Sequence, residues 1–380
     1  MPNPTVAVPH LLWLLAAILA VLPASELIAV RAPNDGLQPQ AAIAGDGTVH
    51  LIYFAGPDNA GNVFYVRRAA GETAFSAPIR VNGIPGSAVA LGSIRGARLA
   101  LGRNGWIHVA WNGSAAASPK GPGNAVPMLY ARKSATATAF EAQRCPMTWA
   151  VGLDGGGSVA ADTTGRVYVT WHGGKANVAE PGRQVVIAAS RNDGETFAEE
   201  APAIAEPTGA CGCCAMQAGT NGQGGLALLY RSANGMQRDM LLAWAERKGD
   251  AFRLATVSPW KVSSCPMSTS AIAPAKNGLL IAWEDAAGVS WARVVGGKVS
   301  DPITVAGKGA KHPALAEAAD GSIAVVWTEG TGWAKGGSLQ WQLYDPQGKP
   351  VGALGRKSGV PPWSIPTVIA EPSGKFSAWF

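Results

Sequence analysis

The sequence predicts an all-β chain folded as a β-propeller of four-stranded antiparallel blades. Two observations carry the prediction. A strand–turn–strand pattern recurs seven times over 380 residues. The composition also fits many short strands joined by tight turns: 48 glycines, 47% hydrophobic residues and only 15% charged residues.

The recurring unit is an apolar strand, a glycine turn and a second strand that ends in an aromatic. It reads AAIAGDGTVHLIYF at 41–54, RLALGRNGWIHVAW at 98–111, VAADTTGRVYVTWH at 159–172 and QAGTNGQGGLALLY at 217–230. It continues as AIAPAKNGLLIAWE at 271–284, ALAEAADGSIAVVW at 314–327 and TVIAEPSGKFSAWF at 367–380. The turn glycines are Gly47, Gly105, Gly165, Gly224, Gly278, Gly321 and Gly374. Tight hairpin turns need a positive φ, which glycine adopts without steric cost.

Third and fourth strands follow most hairpins, as in NVFYVRR and APIRVN of the first unit. A lone four-stranded wedge cannot bury both of its faces, whereas a ring of wedges does so and leaves only short edges. Seven hairpins predict seven blades, with six as the alternative if the last hairpin joins the first blade. No third strand follows the last hairpin, so Glu26–Pro33 is expected to supply an outer strand there and close the ring with the C-terminal strands.

Leu11–Leu22 is continuously apolar over twelve residues, too short to span a bilayer, and small residues follow at Ala24 and Ser25. Residues 1–25 therefore read as a signal peptide or N-terminal anchor, and 26–380 as one propeller domain. The alternative for the apolar run is a buried element of the fold. Export places the protein in a secreted or periplasmic, oxidising setting, with no membrane span in the mature chain. The net charge of +6 is spread thinly without a Lys/Arg block, which argues against a nucleic-acid partner. The chain reads as a monomer.

The segment Ser190–Phe197, SRNDGETF, resembles the Asp-box repeat S-x-D-x-G-x-T-F of sialidase-like propellers, with Ser190, Asp193, Gly194, Thr196 and Phe197 as its structural residues. Degenerate versions fall at 68–75, 132–140 and 245–252. The resemblance implies a propeller whose box is structural and lies away from the catalytic face. That family clamps a carboxylate with three arginines, the first in an Arg-Ile-Pro motif just before the first inner strand. Here that place reads Leu37-Gln38-Pro39-Gln40, and no Tyr–Glu nucleophile pair stands out. The expectation is a carbohydrate-directed propeller without efficient sialidase activity. Arg95, Arg98, Arg231 and Arg238 remain as anion-binding candidates. Asp154 is the candidate acid, with Arg98 beside it as a catalytic candidate.

Links that lead from one blade to the next inner strand share a face and converge on the axis, where ligands of closed rings bind. These links hold the unusual residues. All five cysteines fall on three consecutive links: Cys145; then Cys211, Cys213 and Cys214; then Cys265. With Met216, Met267 and His312 they form either a disulfide cluster or a soft-metal site for which Cu(I) is the suited ion. A reactive or buried thiol is the third reading, and no cofactor follows with certainty. Trp333 and Trp363 lie in loops and are expected to stack on a glycan or small-molecule ligand, with Arg95 and Arg231 beside them. Trp111, Trp171, Trp244, Trp283 and Trp327 mostly recur at one repeat position and read as inter-blade packing. His50, His108 and His172 read as structural. Three functional classes thus stay open: a carbohydrate-directed propeller, a redox or copper propeller, and an interaction scaffold.

Overall fold

A computed structural model describes Met1 and residues 26–221, 224–247 and 249–380. The proposed signal segment lies outside the described residues apart from Met1. The described chain is all-β with four single-turn 3-10 segments. No helix among the described residues is long and apolar enough to cross a membrane.

Seven sheets follow one another in sequence order around a ring. Their inner strands are Leu37–Ile43, Arg98–Leu101, Ser158–Ala161, Gln217–Thr220, Ala271–Ala275, Ala310–Glu317 and Thr367–Ala370. Each pairs antiparallel with the next strand through a hairpin. The seven turn glycines take φ between 72° and 95°, so each adopts the backbone its turn requires.

Ring closure differs from the expected antiparallel arrangement. Leu27–Val30 runs parallel to Phe376–Trp379, so the seventh blade is a three-stranded sheet with a parallel edge. The second blade also has three full strands. Its fourth position is a short edge held by the Tyr130–Arg144 bridge.

The apolar cores lie between blades. One cluster packs blade 1 on blade 2 around Phe54 and Trp111, and another packs blade 2 on blade 3 around Trp171. The series continues around the ring to a cluster that joins Trp379 of blade 7 to Val49, Leu51 and Tyr53 of blade 1. Trp111, Trp171, Trp283 and Trp327 are at most 1% exposed, as their repeated position implies. Fully burying such a large side chain contributes on the order of 2–3 kcal/mol, and the repeat places one at most interfaces. The result is a rigid ring with its inner strands around a central channel of about 620 Å³.

The segment 190–197 forms a tight turn, with one correction to its residue roles. The third box position is Asn192, not Asp193. Asn192 Oδ1 accepts the Thr196 amide at 3.0 Å and the Ser190 hydroxyl at 2.9 Å. Asp193 takes positive φ and pairs with Arg103. Phe197 plugs edge-on against Tyr130 at 4.9 Å. The half-buried His50 and the buried His108 each bond a tyrosine on the neighbouring strand, Tyr65 and Tyr130.

Candidate functional site

The hairpin turns lie on one face of the ring. The blade-to-blade links, and the loops that join second to third strands, lie on the other. Five links approach their inner strands through a non-glycine residue in the left-handed region: Gln38, Ser93, Met267, His312 and Trp363, with φ between 48° and 65°. Each such conformation costs about 1–3 kcal/mol, and it recurs at ligand clamps where the surroundings hold it. The surroundings do hold these. Gln38 Nε2 donates to the carbonyls of Ala90 and Trp363, which ties three links together at 2.6 and 2.7 Å.

Arg98, the first residue of an inner strand, lines the top of the central channel with His312, Thr269 and Ser270. Its residue exposure is 4%. Its Nε and Nη2 have no hydrogen-bond partner, and it makes no ion pair among the described residues. Burial brings the guanidinium pKa down to about 10. Ser270 Oγ at the same mouth, and Gln38 Oε1 against Gly96 of the neighbouring link, are also buried and unpaired. Buried donors are almost always satisfied, so a bare guanidinium at the head of a polar channel is a place for an anion. His312 Nδ1 lies 3.3 Å from Thr269 Oγ1. Burial, then Lys311 and Arg98, hold its pKa near 3, so it is neutral and adds no competing cation.

Around this mouth the link 85–97 places Arg95 beside Asp154. Arg95 Nη2 donates to Asp154 Oδ1 at 2.6 Å, and its Nε donates to the Asp154 carbonyl. Gly92 sits within contact distance of Trp333, Met267 and Arg95, so a Cβ there would touch all three. Trp333 is 60% exposed and stands edge-on to Trp363, with ring centroids 4.7 Å apart. Arg95, Asp154, Met267, Trp333 and Trp363 therefore share one rim.

The sulfur residues occupy a second place on this face. Cys211–Cys214 forms a tight turn in which the Cys214 amide donates to the Cys211 carbonyl at 3.3 Å. The sulfurs of Cys211, Cys213 and Cys214 lie within 4.8 Å of one another. Cys213 is bridged to Cys265, with Cα atoms 6.3 Å apart. Burial would raise the Cys214 thiol, but hydrogen bonding to Cys211 and the charge of Arg231 outweigh it and lower its pKa. Cys211 is raised in turn.

The structure divides the sulfur, methionine and histidine group that the sequence placed together. Cys145 is a free thiol packed against the two apolar cores that flank blade 2. The edge strand of that blade ends at Arg144, which leaves Cys145 out at the edge rather than at the axis. Met216 is fully buried in the core between blades 3 and 4. Met267 joins the tryptophan rim, and His312 the channel mouth. Arg231, expected to bind ligand, is spent internally on Ser268 Oγ and the carbonyls of Arg238 and Glu284, and it stacks over Trp260 at 4.6 Å.

Two residues here escaped the sequence reading. Glu180 accepts the Gly212 amide at 2.6 Å and pairs with Arg238 at 2.9 Å, and Arg183 packs against Gly212. Both sit in a long loop of blade 3, where only the ring's curvature brings them to the cysteine turn. The Lys311–Glu284 pair at 3.0 Å joins the inner strand of blade 6 to the second strand of blade 5.

Ring, channel and converging links define a seven-bladed propeller with a polar axial mouth. No known family model and no curated protein matches the sequence. Among solved structures, a Dyadobacter fermentans protein of unknown function is 12% identical, with a TM-score of 0.55 over 86% of this chain and 96% of its own. A polysaccharide lyase, an ulvan lyase bound to -[GlcA(1-4)Rha3S]-, is 13% identical, with a TM-score of 0.52 over 88% of each chain. The Trypanosoma rangeli sialidase in complex with the inhibitor DANA is 11% identical, with a TM-score of 0.50 over 78% of this chain and 53% of its own. At these identities the likeness is one of fold. The fold is that of a sialidase-like propeller, and its solved neighbours include proteins that act on carbohydrate.

Proposed function

We propose that this chain is an exported propeller that binds an acidic carbohydrate at the link face, with the anionic group of the sugar on Arg98. The observation that carries the reading is Arg98, a residue lining the channel whose buried guanidinium leaves Nε and Nη2 unpaired. A carboxylate or sulfate oxygen would satisfy them in a charge-assisted bond. The exposed Trp333 ring, braced by Trp363, supplies an apolar face for a sugar ring at the same rim. Arg95 and Asp154 supply polar contacts for hydroxyl groups.

Binding fits this face better than hydrolysis. A glycosidase needs two carboxyl groups about 5–9.5 Å apart across the sugar. Asp154, Glu180 and Glu284 are each held by a cation: Arg95, Arg238 and Lys311. Asp154 in the role of general acid would have to break from Arg95. The reading therefore predicts no efficient release of sialic acid from an aryl sialoside.

Calorimetric titration against a panel of acidic and neutral oligosaccharides tests the proposal. Uronate-containing or sialylated oligosaccharides should bind, and Arg98→Met and Trp333→Ala should each weaken binding at least tenfold. Absence of binding to every acidic member, or unchanged affinity in both variants, would refute it.

A further inference from the structure

We propose that Cys211, Cys213 and Cys214 form a Cu(I)-binding thiolate site that assembles when the Cys213–Cys265 disulfide is reduced. The site rests on sulfur geometry and is separate from the carbohydrate-binding mouth. A metal–sulfur bond of about 2.3 Å lets two ligands of one ion lie up to about 4.6 Å apart. The three sulfurs lie within 4.8 Å of one another, and Cys211 Sγ is 3.3 Å from Cys213 Sγ. They need only small side-chain rotations to share an ion. Cys265 is already bonded to Cys213, so a fourth sulfur stands beside them.

The turn that carries these sulfurs is held on every side. The Cys211 amide donates to the Arg231 carbonyl at 2.9 Å, the Ala215 amide to Ser268 at 3.0 Å and the Met216 amide to Gly156 at 3.0 Å. The Gly212 amide is fixed by Glu180. Such outer contacts orient metal ligands before the ion arrives. Three thiolates around one Cu(I) carry a net charge of −2. The Arg231 guanidinium is linked to Cys214 through Ser268 Oγ, and Arg183 packs against Gly212 in the same turn. Cys211 and Cys214 are buried, whereas Cys213 is partly exposed and gives the ion a way in.

The choice of Cu(I) follows from the donor set. Three thiolates within four residues, without a histidine or carboxylate among them, suit a soft ion of low coordination number. The short C-x-C-C spacing does not match the paired spacings of structural zinc sites.

The chemistry balances. A dithiol reductant transfers two electrons and two protons to the Cys213–Cys265 bond, which yields two thiols and the oxidised, cyclic disulfide of the reductant. Cu(I) then displaces the protons of Cys211, Cys213 and Cys214 to solvent. In the bridged state only two of the three ligands are free, so the disulfide and the full metal site exclude one another.

The test uses the full chain, reduced with a dithiol, freed of it and titrated anaerobically with Cu(I) against a chromogenic Cu(I) chelator. The expected result is one Cu(I) per chain. Affinity should fall at least 100-fold in Cys211→Ser, Cys214→Ser and the unreduced chain, with no change in Cys145→Ser. X-ray absorption of the loaded wild type should show a sulfur-only shell near three ligands, a readout that does not depend on how the variants fold. The proposal is overturned if the reduced chain does not compete with the chelator. It is equally overturned if the unreduced chain binds as tightly, if Cys145→Ser abolishes binding, if the shell contains nitrogen or oxygen, or if Zn(II) resists displacement by Cu(I).

Discussion

Replacing Arg98 with methionine should make the ligand-free protein more stable while it removes anion binding. The guanidinium is fully buried without a counter-charge, and burial depresses its pKa from 12.5 to about 10. That depression corresponds to roughly 3 kcal/mol of cost for holding the charge. The sign follows from the direction of the shift. Below pH 10 the folded state carries the charged group at this cost, and the cost is relieved only as the pH rises from about 10 towards 12.5. Methionine keeps much of the volume and removes the charge, and comparable replacements of buried ions stabilise by about 1–4 kcal/mol. Urea unfolding at pH 7 should therefore show a gain of about 1–3 kcal/mol for Arg98→Met. By pH 10.5 the gain should narrow by about 1 kcal/mol as wild-type Arg98 begins to lose its proton. A loss of 2 kcal/mol or more at pH 7 would show that the guanidinium is satisfied within the chain, and would remove the basis for an anion site.

Three further outcomes follow from the same contacts. His50, His108, His172 and His312 are held neutral, chiefly by burial, with pKa values near 4, 3, 4 and 3. Their contribution is fully present above pH 6.5 and is lost as the pH falls towards 4, because the unfolded chain takes up the protons. Urea midpoints should drop by several kcal/mol equivalent between pH 7 and 5, at up to about 1.4 kcal/mol per pH unit per ring, and a flat profile would contradict the assignment. Asn192→Ala should cost about 1–2 kcal/mol through the lost Ser190 and Thr196 bonds, and Asp193→Ala should cost less; the reverse order would restore Asp193 as the key residue of that turn. Glu200 accepts the amides of Thr148, Trp149 and Ala150, so Glu200→Ala should destabilise by about 1–3 kcal/mol in urea unfolding, and a loss under 0.5 kcal/mol would show that the link at 146–157 is held by other contacts.

The ring was legible in the sequence because its information is local and repeated. A glycine at each hairpin turn and an aromatic at the end of each second strand recur at nearly fixed spacing, and they mark inner strands without any knowledge of contacts. The parallel edge formed by Leu27–Val30 was legible only as a strand. Its direction depends on how the chain crosses the rim, which no local pattern encodes. The site was readable at the level of segments but not of side chains. Link residues do converge, yet Met216 turns into an inter-blade core and Cys145 stops at a blade edge, because a one-residue shift along a strand changes the face a side chain meets. Glu180 and Arg183 lie some thirty residues before the turn they clamp, and only the curvature of the ring joins them. The box position has a simpler cause: Asn192 and Asp193 are adjacent and either can cap a turn, but it is Asn192 Oδ1 that takes the Ser190 and Thr196 bonds.

The central claim is that the axial mouth takes the anionic group of a sugar on Arg98. The most direct test is a calorimetric comparison, on wild-type protein, of one acidic oligosaccharide with its carboxyl-reduced counterpart, repeated on Arg98→Met. The account predicts that wild type binds the acidic form at least tenfold more tightly, and that Arg98→Met binds the two forms equally. Equal binding of both forms by wild type, or a preference for the acidic form that persists in Arg98→Met, would contradict it.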